Sequence, residues 1–169
     1  MTTRLIAGRG RLLGDDVNTD YIISSRRKRE SIDAHVLKRF LLEGVDPGFA
    51  ATVMVGDILV AGRNFGCGSA MEVAVTVIMA AGIPAVLAKS FSRTFYRNAI
   101  NNGLIPVVAD PSGIREGALL RVSVSELGVS VRTVDGMVAA SEPLTGIALA
   151  ILAEGGLVAY MRRRGALRS

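Results

Sequence analysis

The sequence contains no tryptophan, one cysteine and one histidine. Zinc and iron–sulfur sites need three or four ligands, so Cys67 cannot hold such a group by itself. A single cysteine cannot form an internal disulfide either. His35 lies four residues before Arg39 in a predicted helix and is expected at the surface, so the sequence offers no Ser–His–Asp triad. We therefore expect this chain to bind no metal or cofactor of its own.

Aromatic residues (5%) and prolines (5 of 169 residues) are also few, whereas half of the residues are hydrophobic. The core must then be built from valine, isoleucine, leucine and alanine, a composition typical of buried parallel or mixed strands flanked by helices. The length suits one domain, or one domain with a tail. We expect an α/β fold in a single domain over residues 1–169, with a basic C-terminal tail at about 161–169.

The formal net charge is +5, from 20 basic and 15 acidic residues. Much of the positive charge lies in two clusters, residues 26–29 and residues 162–164. No aromatic residues interleave with these clusters, and the sequence has no helix-turn-helix or zinc-finger pattern. We therefore expect no nucleic-acid binding.

No hydrophobic run is long enough to cross a bilayer. The longest, residues 73–81, is interrupted by Thr76 and is about half the length of a membrane-spanning helix. Arg4, Arg9 and Arg11 interrupt what would be the apolar part of a signal peptide. We expect a cytoplasmic protein that does not bind membranes.

Hydrophobic periodicity and turn residues predict the order of the elements. Strands are predicted at residues 4–13 (broken by Gly8 and Gly10), 21–23, 58–61, 85–88 and 104–108, and helices at residues 31–44 (with Ser31 as N-cap), 71–81, 92–102 and 146–160. Turns or loops are predicted at residues 14–20, 24–30, 46–48 and 62–69. From 119 to 140 the alternation predicts an antiparallel β addition with Asp135-Gly136 as its hairpin turn. The strand–helix alternation between 57 and 108 indicates an α/β unit with parallel pairings.

The glycine-rich loop at residues 62–69 is the best candidate for chemistry. Small residues let a ligand approach the backbone, and N–H groups at the start of the following helix can hold an anion or an oxyanion. Ser69 would lie among these donors and could transfer a proton. The alternative is a purely structural turn. Cys67 has no histidine partner in evidence, so we interpret it as a small buried residue rather than a nucleophile.

Four ordered blocks of the sequence resemble one family. They are GDDVNTDYII at 14–23, EGVDPGFA at 43–50, GDILVAGRNFGCGS at 56–69 and KSFSRTFYRNAINNGLIPV at 89–107. Each resembles a motif of the small subunits of isopropylmalate isomerase and homoaconitase, in the aconitase superfamily. The blocks cover about residues 10–110.

This resemblance implies a swivelling β/β/α domain with a mixed sheet flanked by helices. It implies the small subunit of a heteromeric hydro-lyase that dehydrates and rehydrates a hydroxy di- or tricarboxylate, as in leucine biosynthesis. The partner would be a large subunit with a [4Fe–4S] cluster, whose iron acts as a Lewis acid. By motif position Ser69 would be the base that removes the carbon-bound proton. The isolated chain is a candidate for self-association through the surface meant for its partner.

The resemblance also implies a substrate-selecting loop after Ile23. Arg29 falls where homoaconitase-like members place an arginine against a distal carboxylate, and Arg26 lies in the same loop. Motif position adds four expected substrate contacts: Thr19, Asp20, Gly68 and Ala70. The alternative is that the basic loop is only a solvated surface.

The sequence departs from the family pattern directly after Ser69. Where the family has Gly-Ser-Ser-Arg-Glu, this chain has Ala70 and Met71 between Ser69 and Glu72, and Val73 replaces a histidine. The family's arginine pairs with a substrate carboxylate, and methionine cannot do so. Three outcomes are open: a different substrate, a charge supplied by arginine 26, 27 or 29, or a non-catalytic relative that acts as a binding or regulatory partner.

Overall fold

The computed structural model describes residues 4–125, 127–138 and 140–166. Within them the strands are β1 (Arg4–Leu12), β2 (Ile58–Ala61), β3 (Ala85–Ala88), β4 (Ile105–Ala109), β5 (Leu119–Ser125), β6 (Gly128–Thr133), β7 (Gly136–Val138) and β8 (Ala140–Glu142). They form one mixed sheet in the order β7-β6-β5-β1-β2-β3-β4-β8. Strands β1 to β4 are parallel neighbours. Strands β5, β6 and β7 form an antiparallel meander beside β1, and β8 pairs antiparallel with β4.

The helices of the described residues are α1 (Thr19–Ile22), α2 (Ser25–Glu30), α3 (Ala34–Leu37), α4 (Phe49–Thr52), α5 (Glu72–Ala80), α6 (Arg93–Asn102), α7 (Gly146–Ala153) and α8 (Leu157–Arg163), with a short 3₁₀ helix at Lys38–Phe40. Within the described part of the chain, no helix is long and apolar enough to cross a membrane.

Side chains on the two faces of the parallel strands enter two different hydrophobic cores. Leu59 and Val86 face the first core, which they share with α1, α5 and α6. Ile58 and Leu87 face the second core, which is closed by the meander and by α7. Alternate side chains of a strand point to opposite faces, so a strand buried on both sides reads as continuously apolar. The parallel part of the sheet therefore lies between helices on one face and the antiparallel meander on the other. This arrangement confirms the predicted β/β/α class with a mixed sheet flanked by helices.

Strand β1 joins the two parts of the sheet. Residues Arg4 to Arg9 pair antiparallel with β5, whereas Gly10 to Leu12 pair parallel with β2. A side chain at Gly8 would collide with the backbone carbonyl of Gly56. Gly8 and Gly10 thus permit close packing inside a continuous strand, and the prediction that they break it is wrong.

Most other predicted elements are confirmed, including the strands at 58–61 and 85–88, the buried helix near 71–81 and the loop at 62–69. The antiparallel hairpin is also present, but its turn residues are Val134 and Asp135 rather than Asp135 and Gly136, because Gly136 already pairs with Thr133. Helix α6 begins at its N-cap Ser92 and ends at Gly103 in the left-handed conformation, as its sequence predicts.

Four local predictions are wrong. Residues 21–23 were predicted as a strand, but Tyr21 and Ile22 belong to α1, and the basic stretch predicted as a loop forms α2. The helix predicted at 31–44 is limited to α3 and the following 3₁₀ helix, and Asp33, not Ser31, caps it. The predicted helix at 146–160 is divided into α7 and α8 at Gly155-Gly156, which both have positive φ. Of the predicted tail, residues 161–163 are helical and residues 167–169 lie outside the described part of the chain.

Candidate functional site

The loop at residues 62–69 follows the carboxyl end of β2 and is fixed at its start by polar contacts. The backbone N–H of Arg63 donates to Asp15 Oδ1 (2.7 Å), and the backbone N–H of Asn64 donates to Ser90 Oγ (2.8 Å). The first of these hydrogen bonds lowers the pKa of Asp15 below its ordinary value. Residues that follow β1 and β3, the two strands beside β2, thus hold the loop in place.

Phe65 anchors the middle of the loop in the first core. Its side chain is fully buried and makes edge-on contacts with Phe91 and Phe95, at centroid distances of 5.9 and 5.1 Å. The Ser92 hydroxyl donates to the backbone carbonyl of Gly66 (2.7 Å). Phe65, Phe91 and Phe95 therefore form an aromatic cluster beneath the candidate site, where they give the loop a rigid base.

The second half of the loop lies against α1. The backbone N–H of Thr19 donates to the carbonyl of Cys67 (2.8 Å), and the Thr19 hydroxyl donates to the carbonyl of Ser69 (3.0 Å). Gly68 has φ +90°, and a Cβ there would lie 2.6 Å from Asn18 Oδ1. Position 68 therefore accepts no side chain without displacing Asn18.

Ser69 is exposed at the end of this loop, two residues before the N-cap of α5, and Gly68 and Ala70 are exposed beside it. Helix α5 begins at Glu72 and its N-cap Met71 makes no side-chain capping hydrogen bond. The first N–H groups of such a helix have no partner within the helix and can donate to an anion. Ser69 is therefore an exposed residue just before the N-terminus of α5, where the Ala74 N–H already donates to the Met71 carbonyl.

Asp20 lies beside this loop, next to Thr19. Its Oδ1 accepts hydrogen bonds from the Ser25 backbone N–H (2.9 Å) and hydroxyl (2.6 Å), and Lys28 Nζ lies 3.7 Å away. The pKa of Asp20 is below its ordinary value because the Ser25 hydroxyl and N–H bind its carboxylate, with Lys28 adding positive charge and partial burial opposing them. Asp20 is thus a carboxylate at neutral pH.

Helix α2 points its cations in two directions. Arg27 lies inward, with Nε 2.8 Å from Glu43 Oε1 and its guanidinium 3.8 Å from the Phe40 ring. Lys28 also lies inward, and its ammonium contacts the Met71 thioether. Arg26 and Arg29 are exposed, and Arg26 pairs loosely with Glu30 at 3.6 Å.

The structure places buried Thr19 against the carbonyl of Ser69, with Gly68 and Ala70 exposed on either side of that serine and Asp20 next to Thr19 in α1. It leaves Arg26 and Arg29 on the outer side of α2, and it adds two residues that the sequence interpretation missed. They are Asn18, which caps α1 and supports Gly68, and Lys28, which touches Met71. A helical interpretation of residues 25–30 would have separated Lys28 from its neighbours, because only one face of a short helix points inward.

Cys67 is half-buried and free, so the prediction of a buried cysteine is too strong. His35 is exposed, as predicted. Among the described residues, no three His, Cys, Asp or Glu side chains are grouped so that they could hold a metal ion.

A cleft of about 430 Å³ opens at the same edge of the sheet but apart from Ser69. Its lining includes Asp15, Gly62, Lys89 and Ser112, and no residue of 66–71. The exposed serine therefore lies on an open surface outside this cleft.

Comparison with known proteins identifies the family. The Aconitase C-terminal domain family matches residues 48–112. The methanogen homoaconitase small subunit of Methanocaldococcus jannaschii is 41% identical over 165 residues, which are 98% of this chain and 96% of that protein. The chain belongs to the family of 3-isopropylmalate dehydratase and homoaconitase small subunits. This family assignment and the place within hydro-lyases confirm the resemblance found in the sequence.

Other members of the family agree over nearly the whole chain. A 3-isopropylmalate dehydratase small subunit of Archaeoglobus fulgidus is 39% identical and covers 96% of this chain and 98% of its own length. The crystal structure of a 3-isopropylmalate dehydratase from M. jannaschii superposes with a TM-score of 0.86 at 41% identity, over 96% of each chain. The fold and the family of this hydro-lyase small subunit therefore rest on both sequence and structure.

Proposed function

We propose that this small subunit works with a large, cluster-bearing subunit to dehydrate and rehydrate a hydroxy di- or tricarboxylate, with Ser69 as the base. The observation that carries the proposal is the exposed Ser69, whose carbonyl accepts a hydrogen bond from buried Thr19 and which lies two residues before the N-cap of α5. The names of the relatives, dehydratase and homoaconitase small subunits, support a reaction of this class.

The chain's own residues supply the proton transfer. Ser69, as its alkoxide, takes the proton from the substrate carbon while the hydroxyl group on the neighbouring carbon leaves as water after protonation. Rehydration reverses these steps. Preorganised N–H donors at the start of α5 stabilise the negative charge on the serine oxygen, since they need no reorganisation when the charge forms. Thr19 fixes the backbone of Ser69, and the small residues Gly68 and Ala70 leave space for the substrate.

The described part of this chain fits no iron–sulfur cluster, because its one cysteine is not joined by further grouped ligands. In this proposal the cluster belongs to the partner subunit, where a [4Fe–4S] group would act as a Lewis acid on the leaving hydroxyl. Ser69 lies on an open surface, which agrees with a site that is completed by the second subunit. The same surface is the one through which the isolated chain would self-associate.

The substrate is selected, in this proposal, by the basic helix α2. Arg29 is exposed and makes no ion pair among the described residues, so its guanidinium is free for a distal carboxylate. This favours a substrate that carries one more anionic group than isopropylmalate does. The relatives are named for both activities, homoaconitase and 3-isopropylmalate dehydratase. The setting would be amino-acid biosynthesis in the cytoplasm, of which leucine biosynthesis is the example in the relatives named for isopropylmalate.

A second candidate is a non-catalytic subunit that acts as a binding or regulatory partner. Ala70 and Met71 favour it, because they replace polar residues that the family resemblance implies beside Ser69. The intact positioning of Ser69 by Thr19 supports the catalytic proposal over this one.

The test is turnover by the assembled complex. The chain is co-expressed with the large subunit, the cluster is reconstituted without oxygen, and isopropylmalate, homocitrate, citrate and 2-methylmalate are followed by the ultraviolet absorbance of the unsaturated product. We expect one of them to react and Ser69→Ala to lower kcat about 10³-fold, in the range of a lost general base. Ser125→Ala, in the distant meander, is the matched control and should keep full activity.

Two results would contradict the proposal in different ways. A stable complex with a loaded cluster that turns over none of the four acids would favour the non-catalytic candidate. Full activity in Ser69→Ala would keep the hydro-lyase and remove Ser69 as its base.

A further inference from the structure

Lys28 occupies an unusual position for a lysine. Its side chain is only 18% exposed, and its ammonium lies between the Met71 thioether and the carboxylate of Asp20. Lysine side chains usually keep the ammonium in water while only the aliphatic part packs against the protein. The inward direction of Lys28 therefore needs a reason beyond the packing of α2.

The contacts that Lys28 makes leave most of its capacity unused. An ammonium has three N–H donors, and a thioether sulfur is only a weak acceptor. The distance from Nζ to Asp20 Oδ1 is 3.7 Å, longer than a hydrogen bond, and that oxygen already accepts two hydrogen bonds from Ser25. Lys28 is thus held electrostatically, with donors to spare, in a place where water is partly excluded.

Lys28 also lies close to the candidate catalytic residue. Met71, which it touches, follows Ser69 by two residues, and Asp20 adjoins Thr19, whose hydroxyl holds the Ser69 carbonyl. Arg29, which makes no ion pair among the described residues, is exposed on the outer side of the helix. Lys28 is therefore the cation of α2 that contacts the segment carrying Ser69.

We propose that Lys28 binds a carboxylate of the substrate beside Ser69 and is a specificity-determining residue of this subunit. The inference rests on the proposed function and extends it, since it places the anchoring cation on α2 rather than on the loop after Ser69. The ammonium of Lys28 donates to the carboxylate, Asp20 keeps the ammonium in place, and Met71 provides an apolar wall. A charge-assisted hydrogen bond in such a partly desolvated place is stronger than one in water.

The test uses the assembled complex and four variants of the small subunit. Lys28→Met should raise KM about 10- to 100-fold with a smaller change in kcat, the loss expected for one charge-assisted hydrogen bond. Lys28→Arg should retain most of the affinity. In the double variant Lys28→Met/Met71→Arg the cation moves to the contacting residue, and KM should recover at least in part. Lys38→Met removes an exposed lysine from the neighbouring 3₁₀ helix and should leave KM unchanged.

Each outcome decides the question. An unchanged KM in Lys28→Met, with an active wild-type complex, overturns the inference and leaves the proposed function intact. If Lys28→Met weakens assembly or folding as well, the double variant decides: recovery of KM supports carboxylate binding, and no recovery assigns Lys28 a structural role. A wild-type complex that is inactive on all substrates overturns the proposed function and this inference with it.

Discussion

The hydroxyl of Thr19 donates a hydrogen bond of 3.0 Å to the backbone carbonyl of Ser69, across 50 residues of sequence. Thr19 is 2% exposed, so this contact is made inside the protein, although Ser69 itself is exposed. The tie fixes the backbone of Ser69 and leaves its hydroxyl free. Thr19 begins α1 and α2 begins shortly after it, at Ser25, so the same contact connects the segment that carries the basic helix to the serine.

Thr19→Val tests this tie, since valine has the same shape but no donor. The Ser69 carbonyl would lose its partner, so we expect a loss of about 1 kcal/mol in the free energy of unfolding. We also expect kcat to fall about 10-fold, because a less rigid Ser69 is less well placed for proton transfer. Steady-state kinetics and urea unfolding measure both effects. The exposed Thr94→Val is the control, and equal kcat in both variants would show that the tie has no part in catalysis.

Gly68→Ala tests the close approach of Asn18. Gly68 and Gly113 have nearly equal φ, +90° and +89°, but only Gly68 faces a neighbour that a Cβ would displace. Both substitutions should lower the free energy of unfolding by about 1 kcal/mol, because alanine is strained in a left-handed conformation. Gly68→Ala should cost about 1 kcal/mol more, because Asn18 then loses its capping hydrogen bond to the Asp20 N–H. Equal unfolding free energies for the two variants would argue against this packing.

The lowered pKa of Asp57 predicts how the stability of the fold depends on pH. Desolvation raises the pKa of Asp57. Hydrogen bonds from Arg9 and from the Met54 N–H outweigh this effect, and the charge of Arg9 and a hydrogen bond from Arg11 add to them. The pKa of Asp57 is therefore held below its ordinary value. A carboxylate whose pKa is lowered in the folded state contributes its full stabilisation of the fold when the pH is above its unfolded pKa of about 4. This contribution is lost as the pH falls below that value. We expect the wild-type unfolding free energy to decline below pH of about 4.

Asp57→Asn is the variant that tests this origin. It should lower the unfolding free energy by about 2 to 3 kcal/mol at neutral pH. This loss lies at or below the loss for a fully buried ion pair, because Arg9 is 41% exposed. It should also flatten the acid dependence. Asp135→Asn, at the exposed β6–β7 turn, should retain the wild-type profile. A decline in Asp57→Asn as steep as in the wild type would assign the acid sensitivity to other carboxylates.

Arg29→Met tests the proposed contact with a distal carboxylate. If Arg29 binds it, KM for homocitrate should rise about 10-fold while KM for isopropylmalate, which lacks that group, should change little. Arg97→Met, in α6, removes another exposed arginine and serves as the control. A parallel change in KM for both substrates would indicate a general electrostatic effect of α2 instead of selection.

The sequence predicted those parts of the fold in which local pattern and tertiary packing agree. The apolar runs of β2 and β3 and the glycine at the end of α6 are examples. It failed at Tyr21 and Ile22, whose β-type side chains belong to a one-turn helix because Asn18 caps it and Ile22 is buried in the first core. Burial in a tertiary context overrides such weak local preferences.

The candidate site was predicted in part for a related reason. Ser69 and Gly68 could be found because a glycine-rich loop between strand and helix is a local signal. Lys28 could not, because four consecutive basic residues carry no sign of which of them face inward. That distinction depends on the helical path of α2 and on its contact with Met71, which lies 43 residues further along the chain.

Strand β1 has a consequence for how the protein is made. It is synthesised before β5, yet it lies inside the sheet, and Arg4 pairs with Val124 on β5. Until residues 119–125 leave the ribosome, the side of β1 that receives β5 has unpaired backbone groups and can pair with other chains. A nascent or truncated chain that ends before β5 is therefore prone to aggregate, and the completed meander is what protects the growing protein.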